Sequence, residues 1–153
     1  MSMAKPIYVI NGPNLNLLGQ RQPDVYGRNT LADVEALCRR RAQPYELEVT
    51  FRQSNHEGDI VDWLQEARHD ACGVIINPGA FTHTSIAILD AIIATELPVI
   101  EVHISNIHAR EEFRRHSYVS TVAKAVLCGF GIEGYGLAID GLAVLLGAKA
   151  QSS

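Results

Sequence analysis

Lysine is almost missing from this chain of 153 residues: Lys5, Lys124 and Lys149 are the whole complement. Cysteine is scarce as well. Cys38, Cys72 and Cys128 are odd in number and show neither CxxC nor CxxxC spacing. Cys72 and Cys128 sit among apolar neighbours, so the set reads as buried free thiols in a reducing compartment, against a metal or disulfide role. Long apolar runs are lacking too. Ala138–Ala148 covers about half of the ~20 residues a membrane helix needs, and Met1–Lys5 holds no hydrophobic signal region. The expectation is a cytoplasmic protein with no membrane contact. Positive charge is not in excess: a net charge of −4 and a pI near 5.8 argue against a nucleic-acid partner. The six histidines offer no HExxH or other ligand spacing, so no metal is expected.

What is present reads as a single domain over residues 1–153, with flexible ends at 1–5 and 150–153. Ile7-Tyr8-Val9-Ile10 is a β-branched run that stops at the turn-rich Asn11-Gly12-Pro13-Asn14, and it suits a strand covered on both faces. Similar runs follow at Leu47–Phe51, Val74–Ile76, Val99–Val102 and Ala125–Leu127. Helical patterns lie between them. Thr30 and Asp33 open Leu31–Arg41, Ser54 and Glu57 form a capping-box pattern before Ile60–Ala67, Thr84-Ser85 opens a helix to Ala94, and Gly134–Lys149 closes the chain. This alternation predicts an α/β fold, a flavodoxin-like, doubly wound five-stranded parallel sheet with right-handed crossovers.

Ligands of such sheets bind beyond the C-terminal strand ends, and unusual chemistry collects in the segments that follow the strands. Asn11–Asn29 is too long for an ordinary connection and carries Arg21, Tyr26 and Arg28. It reads as a lid over an anion or as a loose surface loop. Asn77–Ser85 runs into a helix start, a place for an anion or hydroxyl beside Asn77 and His83; Thr84 or Ser85 serves equally as the cap. Glu101 and His103 share one face of the fourth strand, where a carboxylate favours a protonated imidazole fit to act as an acid. Arg110 and Arg114, four apart on a short helical turn, could hold a carboxylate or form a solvated stripe.

Three mechanisms lose ground. Lys5 and Lys124 precede strands, on the wrong edge, and Lys149 ends the last helix, which disfavours Schiff-base chemistry. No GxSxG elbow or suitable Cys nucleophile occurs. Gly129-Phe130-Gly131-Ile132-Glu133-Gly134 is a literal GxGxxG, yet it follows the last strand and reads better as a tight turn than as a dinucleotide site. A nucleotide-dependent oxidoreductase and a non-enzymatic binding module stay as alternatives to acid–base chemistry by Tyr26, His103 and Arg21 on an anionic, hydroxylated small molecule.

Four segments carry a specific likeness: Asn11-Gly12-Pro13-Asn14-Leu15-Asn16-Leu17-Leu18-Gly19, Gln53–Gly58, Asn77–Ser85 and His103–Arg114. In order and spacing, over about residues 6–147, they resemble the type II 3-dehydroquinate dehydratases. The resemblance implies a cofactor-free, metal-free lyase that converts 3-dehydroquinate to 3-dehydroshikimate by anti elimination through an enolate. That reaction serves aromatic amino acid biosynthesis in the shikimate pathway or, reversed, quinate breakdown. The resemblance also implies a homododecamer of four trimers. Position by position it makes Tyr26 the base, Arg21 its cationic support, His103 the acid with Glu101 beside it, and Asn14 a polar partner of the enolate. Asn77, His83, Ile104, Ser105 and Arg114 resemble the substrate-binding set, and Asp90 the residue that a neighbouring subunit inserts. Phe81 and Gln22 depart from the commoner Tyr and Glu.

Overall fold

Side-chain alternation along the apolar runs sets the layers of the computed structural model, which describes residues 4–151. Parts of the two ends expected to be flexible, 1–3 and 152–153, lie outside the described residues. Five parallel strands form one sheet: β1 (Ile7–Asn11), β2 (Val49–Gln53), β3 (Gly73–Asn77), β4 (Val99–His103) and β5 (Ala125–Cys128). Their order is β2-β1-β3-β4-β5, the flavodoxin-like arrangement. The helices are α1 (Pro23–Tyr26), α2 (Leu31–Ala42), α3 (Glu57–Asp70), α4 (Ile86–Thr95) and α5 (Glu133–Leu146). On β1, Ile7 and Val9 pack with Val34 and Cys38 of α2 and Ile139 and Leu142 of α5. Tyr8 and Ile10 pack on the other face with Ile60 and Leu64 of α3 and Ile88 and Ile92 of α4. Two helices therefore cover each face, so strand residues of both parities are apolar.

The edges differ from the sequence reading. β1, β3 and β4 are buried throughout, but Ala125 and Val126 of β5 are exposed. An apolar run fits a covered strand, yet an edge strand has a neighbour on one side only. Of the cysteines, only Cys38 is buried; Cys72 and Cys128 are half-buried, and all three are free.

Local signals mostly act as read. Thr30 and Asp33 make a reciprocal capping box at α2, and Ser85 accepts the Ile88 N–H at α4. The Ser54–Glu57 box does not form. Helix α3 is capped at His56, and Glu57 is its first residue. The Ser54 hydroxyl sits too far upstream for the helix amides; it accepts the His56 N–H at 2.9 Å and donates to Asp59 at 2.6 Å. Helix α5 stops at Leu146, not Lys149, because Gly147 adopts the left-handed cap at φ 71°. One glycine shapes the ligand edge. A Cβ on Gly12 would lie 2.3 Å from the Pro78 carbonyl oxygen, so the loops after β1 and β3 meet only because residue 12 has no side chain.

Candidate active site

Parallel register brings the polar strand ends to one level: Asn11 stands opposite both Gln53 and Asn77. Beyond that edge lies a cleft lined by Asn14, Arg21, Asn77, His83, His103, Ile104, Ser105, Arg110 and Arg114, among others. Of the residues that the resemblance implies at the site, eight thus meet in one cavity, and Arg110 joins them. Three arginines and two histidines line it, and no acidic residue among the described residues does. In a chain of net charge −4 this gathers cationic side chains at one cleft, as an anion requires, with Glu111 paired to Arg110 and Arg114 outside the lining.

The loop after β1 supplies Asn14 and Arg21. Asn14 has φ 69°, a left-handed conformation Asn tolerates, and its N–H is held by the Asn55 side chain at 2.9 Å. Gln22 is also left-handed, turning the chain from Arg21 into α1. Tyr26 ends α1; its side chain lies outside what the structure describes.

Glu101 is fully buried behind His103, whose Nε2 bonds to Glu101 Oε2. Three hydroxyls complete the shell. Thr82 and Ser117 donate to Oε2 at 2.8 and 2.9 Å, and Ser120 to Oε1 at 2.5 Å. Burial by itself raises the Glu101 carboxyl, but the His103 hydrogen bond and charge, with Ser120 and Thr82, outweigh it and hold the group below its ordinary value. The carboxylate is thus a fixed negative partner at Nε2, and Nδ1 is the ring nitrogen that Glu101 leaves unengaged.

His83 is arranged differently. Its Nδ1 lies 2.7 Å from the His116 carbonyl, which can only accept, so the proton sits on Nδ1 and Nε2 keeps a lone pair. Burial, reinforced by His103 and Arg114, lowers its pKa against the opposing His116 bond.

Arg110 and Arg114 reach the cleft, but not from one helical turn. Arg110 is extended (φ −105°, ψ −159°) between the 3-10 turns Ile107–Ala109 and Glu112–Arg114. Arg110 donates to Ser105 at 3.3 Å and Arg114 to Glu111 at 2.7 Å. Asp90 does not line this cleft; it is exposed on α4. Sequence reasoning missed Ser117 and Ser120, which precede β5 with no motif to mark them, and named Thr82 only as part of a segment.

Burial raises all three cysteine thiols, that of Cys38 to about 12, so none is a ready nucleophile. No group of three or more His, Cys, Asp or Glu able to hold a metal ion occurs among the described residues. No helix among them is long and apolar enough to cross a membrane. In the Gly129–Gly134 pattern, residues 129–132 turn the chain, with Gly129 at φ 91° against Asn106, and Glu133 and Gly134 open α5.

The family described as Dehydroquinase class II matches residues 5–143. A 3-dehydroquinate dehydratase of Rhodopseudomonas palustris (strain BisA53) is 61% identical over 151 residues, covering 98% of this chain and all of the relative. One from Streptomyces coelicolor is 60% identical over 144 residues, covering 94% of this chain and 92% of the relative. The crystal structure of a type II dehydroquinase from Propionibacterium acnes superposes with a TM-score of 0.88 at 44% identity, covering 94% of this chain and 99% of that one.

Proposed function

The chain belongs to the class II dehydroquinase family and is a 3-dehydroquinate dehydratase by activity; on that premise we propose how its own residues carry out the reaction. Tyr26 removes a proton from C2 of 3-dehydroquinate, and the electron pair of that bond passes to the C3 carbonyl oxygen as an enolate. The enolate then collapses and breaks the C1–O bond. His103 protonates the departing hydroxyl, so water leaves and the conjugated enone 3-dehydroshikimate remains. No cofactor or metal enters the balance.

A free tyrosine loses its proton near pH 10 and needs a nearby cation to act as a base at neutral pH. Arg21, permanently charged and in the cleft lining, provides one. Asn14 faces the enolate. Asn77, His83, Ile104, Ser105 and Arg114 hold the carboxylate and hydroxyls. Glu101 keeps His103 oriented through its bond to Nε2. The observation that carries the reading is the acid-free, arginine-rich lining backed by one buried, fully hydrogen-bonded carboxylate.

The chain is read as one catalytic domain working in the cytoplasm as a homododecamer of four trimers. Asp90 shares a helix face with Ile86 and Ile93, which are each 56% exposed. Apolar residues beside an exposed acid suit a helix face covered by another copy, with Asp90 delivered to that copy's cleft. The direct test of the activity is ultraviolet absorbance, since the product is a conjugated enone and the substrate is not. Purified, metal-stripped protein should give a rise with 3-dehydroquinate; no rise would overturn the reading.

A further inference from the structure

Tyr135, near the start of α5, is the bulkiest fully buried side chain among the described residues, and its ring belongs to the core under the sheet. Its hydroxyl reaches the ligand edge between two asparagines. It donates to Asn11 Oδ1 at 2.7 Å and accepts from Asn77 Nδ2 at 2.9 Å. Asn11 Nδ2 in turn donates to the Arg52 carbonyl at 3.0 Å, and Asn77 Oδ1 accepts the Gly79 N–H at 3.1 Å. None of these three side chains belongs to a residue more than 3% exposed.

Both ends of this chain of bonds are backbone groups, and backbone groups cannot exchange roles: a carbonyl only accepts and an N–H only donates. Fixed ends fix every link between them. Asn11 must turn its nitrogen to Arg52 and its oxygen to Tyr135. Tyr135 must then give its single proton to Asn11 and can only accept from Asn77. Asn77 is left presenting nitrogen to Tyr135 and oxygen to Gly79. An amide nitrogen carries two hydrogens, and Tyr135 uses one. Asn77 lines the cleft, and the second hydrogen is the one these bonds leave for a ligand.

We propose that Tyr135, with Asn11, is a positioning residue that locks the Asn77 amide so the cleft offers an N–H donor there and selects an acceptor oxygen on the substrate. The proposal rests on the dehydratase reading. Burial raises the Tyr135 phenol far above its ordinary value, the Asn77 bond opposing it, so the hydroxyl keeps its proton at every working pH and the lock does not titrate.

The test compares wild type, Tyr135→Phe, Asn77→Ala and the double variant by steady-state kinetics with 3-dehydroquinate. Tyr135→Phe should raise KM about tenfold, the size of one oriented hydrogen bond to the ligand. Its kcat should stay within about threefold and the pH profile of kcat should not move. The double variant should show the KM of Asn77→Ala alone, because residues acting through one contact are not additive. A Tyr135→Phe enzyme that melts lower but keeps wild-type KM would overturn the proposal, as would additive effects in the double variant. If Tyr135→Phe does not fold, Asn11→Ala breaks the same chain one link away and should also raise KM without adding to Asn77→Ala; unchanged KM there overturns the lock. Wild-type protein that fails to turn over 3-dehydroquinate sinks the dehydratase reading and the lock with it, whereas wild-type turnover with unchanged KM in the variants sinks the lock alone.

Discussion

Glu101→Gln removes one charge and almost no volume, which isolates what the buried carboxylate does for His103. The amide oxygen can still accept from Nε2, and Ser120 can turn to accept from the new NH2, so the shell survives. What goes is the attraction. Two unit charges about 4 Å apart attract by about 4 kcal/mol at an effective dielectric of 20. Solvent screens little, since the Glu101 side chain is 0% and that of His103 6% exposed. Neighbouring opposite charges shift titrations by about 1–3 units in practice. Losing the charge that the His103 hydrogen bond holds on Glu101 should therefore depress kcat and move the basic limb of its pH profile down. At the acidic end of the profile kcat should recover to within about tenfold of wild type, because the acid itself remains. Initial rates of absorbance rise across a buffer series measure this. Stability offers a second readout with a fixed sign. The folded Glu101 carboxyl sits below its unfolded value, so its contribution is complete above the ordinary carboxylate range and is lost as pH falls through the folded value. Wild type should thus lose stability toward acid more steeply than Glu101→Gln. An unmoved basic limb with a loss matching His103→Ala would refute the reasoning, since Glu101 would then be taking part in the chemistry directly.

Tyr26→Phe and Asp90→Ala chains should each be inactive, Tyr26→Phe by about 10²–10⁴-fold or more with binding retained. Co-expressed in equal amounts they should regain about 25% of the sites, as ½ × ½, if each site takes the two residues from different chains; no recovery in mixed trimers confirmed by mass assigns Asp90 to its own chain. Gly12→Ala forces a Cβ to within 2.3 Å of the Pro78 carbonyl. It should cost about 1–3 kcal/mol in urea unfolding and depress kcat/KM as the loops part, whereas a wild-type midpoint would show that they yield freely. Borohydride with substrate should leave no covalent mass, and chelators should not change the rate; a substrate-dependent adduct contradicts the tyrosine-base route.

The strand order and both helical layers could be read because β1, β3 and β4 are apolar on both faces while their ends turn abruptly polar. Asn11, Asn77 and His103 mark those ends, and the register then assembles a site from separate segments. What escaped the sequence was whatever depends on one residue's displacement from an element boundary. Ser54 matches a capping box, but the cap of α3 is His56, and an offset of two residues gives the Ser54 hydroxyl a different task. Arg110 and Arg114 have helical spacing, but Arg110 is extended, and they converge through two turns instead of a shared helix face. Ser117 and Ser120 look like ordinary loop serines until the fold sets them over Glu101. Tyr135 looks like a core aromatic, and its ring is one; only the positions of Asn11 and Asn77 give its hydroxyl a role.

The two histidines of the cleft show why residue type alone does not assign chemistry. His103 ends β4 and His83 ends the 3-10 turn Gly79–His83 that follows β3, at the same sheet edge; His103 is buried and His83 half-buried. Behind His103 stands a carboxylate held ionised by three hydroxyls, so a second proton on the ring meets a negative partner. Behind His83 stands a backbone carbonyl, which fixes the proton on Nδ1 but carries no charge to stabilise another. Burial then works against protonation of His83, and the positive charges of His103 and Arg114 add to that effect. One ring is prepared to release a proton and the other to accept a hydrogen bond, although the two share one cavity. Exchanging the backing groups would exchange the roles. The division of labour therefore belongs to Glu101 two residues before His103 and to His116 thirty-three residues after His83, one legible from strand alternation and the other only from the fold.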